Sequence, residues 1–120
     1  MSIPANSYVL QNLYNQFPPI SPTITQSMLY TITSGTGNVI TLFTRTGTSP
    51  NYIFTRTCTT VPLTDGTYAT GSTLSTSSPA YTALSAGNPY YGTTVLFGKK
   101  YEAYYWVIDA THAGFIGVAL

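Results

Sequence analysis

The chain has 120 residues, the size of one domain, able to bury about two thirds of the surface its unfolded form exposes. Only four basic and three acidic side chains are present, so 6% of residues are charged where a globular chain averages about 25%. A net charge of +1 with no basic cluster removes the counterion-release term that drives nucleic-acid binding and the polybasic attraction to anionic lipid, so neither partner is expected.

Twenty-two Thr, 11 Ser and 11 Tyr accompany 10 Gly and 8 Pro, a composition of β-formers and turn-formers that predicts an all-β domain. Cys58 is the single cysteine and excludes an intrachain disulfide, so the fold must rest on its apolar core. The start, Met1 to Asn6, has neither the basic nor the apolar region of a secretory signal, and export is not expected. The longest apolar run, Tyr104 to Ile108, is far short of the ~20 residues of a spanning helix.

Residues Tyr8, Val9, Leu10, Leu13, Tyr14 and Phe17 sketch a rough helical face that Pro18-Pro19 ends, so a short helix or an extended arm is expected. Pro18-Pro19-Ile20-Ser21-Pro22 should run as polyproline II. Residues 1–22 therefore read as an arm, and residues 23–120 as a β-sandwich domain. Too short to build a core, the arm would gain stability only by packing on the domain or on a neighbouring subunit. That makes Tyr8, Leu10, Leu13, Tyr14, Phe17 and Ile20 candidate interface residues.

From Ile24 to Thr33 apolar residues fall on even positions, which predicts a strand. The turn Ser34 to Asn38 should join it to Val39–Arg45 as a hairpin. A second turn, Gly47 to Asn51, precedes a third strand, Tyr52 to Val61. After Pro62, Thr64-Asp65-Gly66 is a turn and Thr67 to Thr70 a short strand candidate. Gly71 to Pro79, rich in Ser and Thr, reads as a surface loop or an edge, and Ala80 to Leu84 as a segment that pairs briefly. Ser85 to Gly92 reads as a loop with Tyr90 and Tyr91 at its tip. Thr93–Phe97, Lys100–Ala110 and the apolar end Phe115–Leu120 complete the strands. Seven to nine strands with turns every 8 to 12 residues fit an antiparallel β-sandwich or jelly roll.

Chemistry is thinly provisioned. Asp65, Glu102, Asp109, His112 and Cys58 are the whole inventory for a metal or acid–base site, and Asp109 with His112 reads as a turn between the last strands. Glu102 and Asp109, an odd number apart, would face opposite sides of one strand, which disfavours a carboxylate pair. No catalytic, metal or cofactor-binding residue is assigned, and the protein is expected to be neither an enzyme nor a cofactor carrier. The run Tyr101 to Ile108 has two apolar faces and needs cover on both. It fits a central strand, a subunit contact through Tyr104 and Trp106, or an aromatic sugar platform; Tyr90 and Tyr91 suit a contact surface. Arg45 and Arg56 should lie across a hairpin, with Lys99 and Lys100 in another turn, either as solvated charges or as an anionic contact.

The proline-bearing stretch Pro18 to Pro22, the Thr-rich hairpin Thr41 to Thr46 and the apolar end Phe115 to Leu120 resemble the small all-β capsid decoration, or cement, proteins of tailed bacteriophages. That resemblance implies a non-enzymatic virion protein on the outer capsid surface, made in the host cytoplasm. Its partners would be the major capsid protein or other virion proteins, with the protein itself a dimer or trimer. The arm would grip a neighbour, and Arg45, Arg56, Lys99 and Lys100 would meet an acidic patch on the shell. Two alternatives stand beside it: a carbohydrate-binding β-sandwich of a tail fibre or secreted protein, and a tube or filament subunit.

Overall fold

A computed structural model describes residues 7–16 and 24–120. Among them run helices α1 (Tyr8–Gln16) and α2 (Gln26–Thr33), strands β1 (Val39–Thr46) and β2 (Ile53–Thr59), helix α3 (Pro79–Ser85), and strands β3 (Tyr90–Leu96), β4 (Lys99–Asp109) and β5 (His112–Ala119). The five strands form one antiparallel sheet in the order β2-β1-β5-β4-β3. The first strand therefore pairs with the last, and β5 lies at the centre. The chain is mostly β, as composition predicted, but the second sheet of a sandwich is replaced by helices and loops. Among the described residues there are five strands where seven to nine were expected.

Strict alternation along β1, β4 and β5 builds two cores, one on each face. Leu10, Leu13, Ile24, Leu29, Ile40, Leu42, Tyr104, Trp106 and Ile116 pack beneath α1 and α2. Val39, Phe43, Phe54, Tyr101, Ala103, Tyr105, Ala113 and Phe115 face the other way, under α3 and the segment carrying Val61, Ala69 and Leu74. Burial on both faces explains why β4 has no polar side. Gly114 lets this happen in β5: a Cβ there would stand 2.5 Å from the Trp106 indole, which lies across it in the ladder.

Two segments expected as strands are helices. Ile24 to Thr33 alternates in sequence, yet Met28 and Tyr30, which that pattern would bury, are exposed, while Leu29 and Thr33, four apart, are buried. The Thr25 hydroxyl caps Met28 N–H and sets the helical start. The hairpin predicted between this segment and β1 consequently does not form; β1 pairs with β2 and β5. Ala80 to Leu84 lies in α3, started by Ser78 at the N-cap and Pro79 at the first turn, and buries Ala80 and Leu84. Thr67 to Thr70 makes only the isolated bridge Pro62↔Tyr68.

Helix α1 packs on β4 and β5 of its own sheet. Leu10 and Leu13 are core residues, and Tyr14 meets Tyr104 and Trp106 edge-on at 5.5 and 5.0 Å. These three side chains, expected to grip a neighbour, are satisfied within the domain, whereas Tyr8 is exposed. Phe17, Ile20 and the proline stretch lie outside the described residues.

Candidate functional site

The decisive local event is a β-bulge. In the β1–β2 ladder Leu42 pairs with Cys58, but the next residue, Phe43, pairs with Arg56, so Thr57 is the extra residue. Cys58 packs against the α1/α2 core with its partner Leu42. Arg56, two residues earlier, is thereby turned to the opposite face, beside Phe43. Without the extra residue, even spacing would have kept Arg56 and Cys58 on one side.

Turned inward, Arg56 is almost completely buried, at 3% exposure of the residue. The segment after β2 folds back along it: Arg56 N–H donates to Ser72 O, Gly71 N–H to Arg56 O and Leu74 N–H to Phe54 O. One terminal nitrogen, Nη1, donates to Ser72 Oγ at 3.0 Å and to Thr73 O at 3.1 Å. The Phe43 and Phe97 rings lie 5.4 and 5.6 Å from the guanidinium carbon, contacts suited to a delocalised cation. No carboxylate joins it; the ion pair among the described residues is His112 with Asp109 in the β4–β5 turn. Burial lowers the pKa of Arg56 while the neighbouring Tyr105 raises it, and a guanidinium remains charged through such changes.

Beside Arg56 opens a pocket of about 240 Å³. Thr73, Leu74, Ser75 and Ser78 form one wall, and Thr94, Val95, Leu96 and Phe97 the other. The first wall is the segment that folds back beside edge strand β2, where Thr73 bridges to Thr55, and the second is the end of the other edge strand, β3, with the turn after it. Three buried polar atoms have no hydrogen-bond partner among the described residues: Arg56 Nε, the Tyr105 hydroxyl and Ser85 Oγ. Burial raises the Tyr105 pKa; Thr94 lies close enough to offset part of that rise without completing a hydrogen bond of ordinary geometry. An unpaired N–H on a buried cation is costly, about 1–3 kcal/mol or more.

A second cleft, about 340 Å³, lies where the α2–β1 turn meets Pro62, Tyr68, Lys99 and Ala119. Though larger, it has its buried hydroxyls engaged: Thr33 Oγ donates to Leu29 O, and Thr60 Oγ accepts from Ile40 N–H. Volume favours this cleft and unmet hydrogen bonding favours Arg56; the second is the stronger sign of a ligand site.

The residues singled out from sequence scatter. Arg45 stacks over Tyr52 at 4.2 Å, Arg56 is interior, and Lys99 and Lys100 are exposed at the start of β4. They make no common anion-binding surface. Tyr90 and Tyr91 lie in β3, not at a loop tip: Tyr90 packs 6.1 Å from Tyr105, and the Tyr91 hydroxyl donates to Glu102 at 2.6 Å on the other face. Tyr104 and Trp106 stack 5.7 Å apart beneath α1, leaving neither a platform nor a free contact face. Sequence reasoning passed over Thr73, Thr94, Phe97 and Tyr105. Their signal was indirect, since four cations and three acids in so apolar a chain leave a cation short of a partner. No group of three or more His, Cys, Asp or Glu side chains suited to a metal occurs among the described residues.

A family model for a Cache 3/Cache 2 fusion domain matches residues 8–119, from the start of α1 to the end of β5. No curated protein and no solved structure matches the chain. The match overturns the resemblance to capsid decoration proteins, and with it the capsid partners and the virion location. A tail-fibre carbohydrate module and a filament subunit fit it no better. Because the matched span takes in every described helix and strand, the chain belongs to the Cache 3/Cache 2 fusion domain family.

Proposed function

We propose that this chain is the sensory, small-molecule-binding module of a membrane-anchored receptor, held outside the membrane, and that its ligand sits against Arg56. Family membership supports the sensory role. The observation that carries the site is a buried guanidinium with an unpaired Nε–H and no carboxylate partner, opening on a pocket. A ligand with an anionic acceptor supplies the missing countercharge. The role is non-enzymatic: the pocket lining contains a cation and hydroxyls but no acid–base pair.

Binding there ties the two edges of the sheet together. Arg56 belongs to β2 and Thr94 to β3, so a ligand touching both resists their separation. Such a link converts occupancy into a mechanical difference, the requirement for a sensor. A ligand that binds only the folded state at 100 times its Kd adds about 2.7 kcal/mol to stability. The test is thermal unfolding of the chain with a panel of small carboxylates, beside Arg56→Met. A rise in Tm for the parent chain and none for the variant is expected; an equal rise in both would refute the site.

A further inference from the structure

Access to the buried cation is governed by one side chain. Resting on the reading of the Arg56 pocket as the ligand site, we infer that Phe97 is its gate: the ring covers the guanidinium from the tip of the β3–β4 hairpin and swings aside to let a ligand in or out.

Leu96 pairs with Lys99 at the end of the β3–β4 ladder, so Phe97 and Gly98 make a two-residue turn, with φ of 50° and 84°. A turn of this kind needs positive φ at both central residues, which is why Asn-Gly is its common sequence. Gly98 meets that demand without strain. Phe97 does not: among the described residues it is the one non-glycine with positive φ, and it lacks the short polar side chain that lets Asn settle in the left-handed region. Turn formation therefore does not explain a phenylalanine here. Nor does burial in a core, because the residue is 38% exposed. An aromatic held in an unfavourable backbone region is kept there by what its ring contacts.

Those contacts belong to the pocket. Phe97 shares a wall with Thr94, Val95 and Leu96, and its ring centre lies 5.6 Å from the Arg56 guanidinium carbon. The Phe43 ring lies 5.4 Å from the same atom, but the two rings differ in freedom. Phe43 is fully buried, stacked on Tyr105 and edge-on to Phe54, so it leaves only if the core opens. Ser72 and Thr73, which accept from Nη1, lie on a segment hydrogen-bonded along β2. Phe97 stands at a hairpin tip and partly in water, where side chains turn on the picosecond to nanosecond scale. Of these groups around Arg56, it moves with the least disturbance. The attraction of a cation for a ring favours the closed position while the site is empty. An anion is the stronger partner once the ring has moved.

The test follows solvent exchange of the Arg56 Nε–H by nitrogen-15 NMR in the intact chain without added carboxylate, with the Arg45 Nε–H as internal control. Parent, Phe97→Asn and Phe97→Tyr are compared. Asn suits the left-handed position, so Phe97→Asn should resist denaturant at least as well as the parent. Its Arg56 Nε–H should nevertheless exchange about tenfold faster, equivalent to a local opening about 1.4 kcal/mol less costly. Phe97→Tyr keeps the ring and should exchange at the parental rate, with Arg45 alike in all three. Parental exchange of Arg56 in Phe97→Asn would overturn the gate and leave the ligand site standing. Faster exchange matched by an equal loss of global stability would also overturn it, since Arg56 would then be exposed by unfolding. The same panel of small carboxylates, acetate and propionate included, should raise the Tm of Phe97→Asn as it raises that of the parent. A rise lost from Phe97→Asn alone would make Phe97 a ligand contact and not a gate. No rise in the parent would refute the ligand site and, with it, the gate.

Discussion

The two faces of the sheet contain similar residues and treat their polar groups differently. Beneath α1 and α2, aromatic rings Tyr14, Tyr104 and Trp106 close on one another, and the polar groups at the edge, Ser7, Tyr91 and Glu102, satisfy one another. Beneath α3 the core is also aromatic, built on Phe43, Phe54, Tyr105 and Phe115, yet it encloses a lone cation and leaves Arg56 Nε and the Tyr105 hydroxyl unpaired. The first face is finished by the chain itself. The second keeps polar groups that no described residue pairs, which sets a supporting face apart from the one proposed as receptive.

The sharpest way to break that division is to damage the supporting face. Trp106→Ala removes a buried ring that bridges Tyr14, Tyr104 and Gly114, and should cost about 3–5 kcal/mol. Denaturant unfolding will read this loss, and the affinity of the remaining folded protein for whichever small carboxylate raises the parent Tm should stay within about twofold, about 0.4 kcal/mol. Gly114→Ala acts on the same contact from below: its methyl meets the indole at 2.5 Å, an overpacking expected to cost about 1–3 kcal/mol in the same assay.

The receptive face should respond in the opposite way. Arg56→Met removes a desolvated cation while keeping its volume, at the loss of bonds to Ser72 and Thr73. Stability should stay within about 1 kcal/mol of the parent or rise above it, while ligand binding disappears. A large destabilisation would instead make Arg56 a structural prop.

The smallest effect is on the pH profile. Burial raises the pKa of Tyr101, Tyr104 and Tyr105, and Tyr91 is raised chiefly by its hydrogen bond to Glu102. A raised tyrosine keeps its proton in the folded state after the unfolded chain has lost it, so stability falls as pH climbs above about 10. Asp65 and Asp109 are lowered by hydrogen bonds from Thr67 and Thr111. Their contribution is present above about pH 4 and fades as pH drops through the folded values. Both carboxylates are exposed, so the acid limb should be the shallower when Tm is followed from pH 3 to 11.

Turn chemistry made part of this architecture legible. Gly47 to Asn51 and Asp109 to His112 each sit where a hairpin turns, and the two-faced run Tyr101 to Ile108 is a strand covered on both sides. The helices were hidden for a physical reason. Helices of 7 to 9 residues have little autonomous stability and form because a core receives them. Ile24 to Thr33 satisfied a strand period and a helix period together, and only burial of Leu29 and Thr33 decides between them. The caps Thr25 and Ser78-Pro79 were the available signal.

The pocket was less legible still. Phe54, Arg56 and Cys58 alternate as if to share a face, and nothing local announces the bulge at Thr57 that separates Arg56 from Cys58. The second wall, Thr94 to Phe97, lies some forty residues away at the opposite edge of the sheet. The wall it faces is the segment folded back beside β2, so their meeting is a property of the assembled fold.

The chain has two arginines, one stacked on Tyr52 and one in the pocket, which makes a direct test simple. In a nitrogen-15 NMR titration with the small carboxylate that raises Tm most, the Arg56 Nε–H resonance should move saturably while that of Arg45 stays still. An unmoved Arg56 resonance at saturating carboxylate, or equal drift of both, would contradict an anion seated on the buried guanidinium.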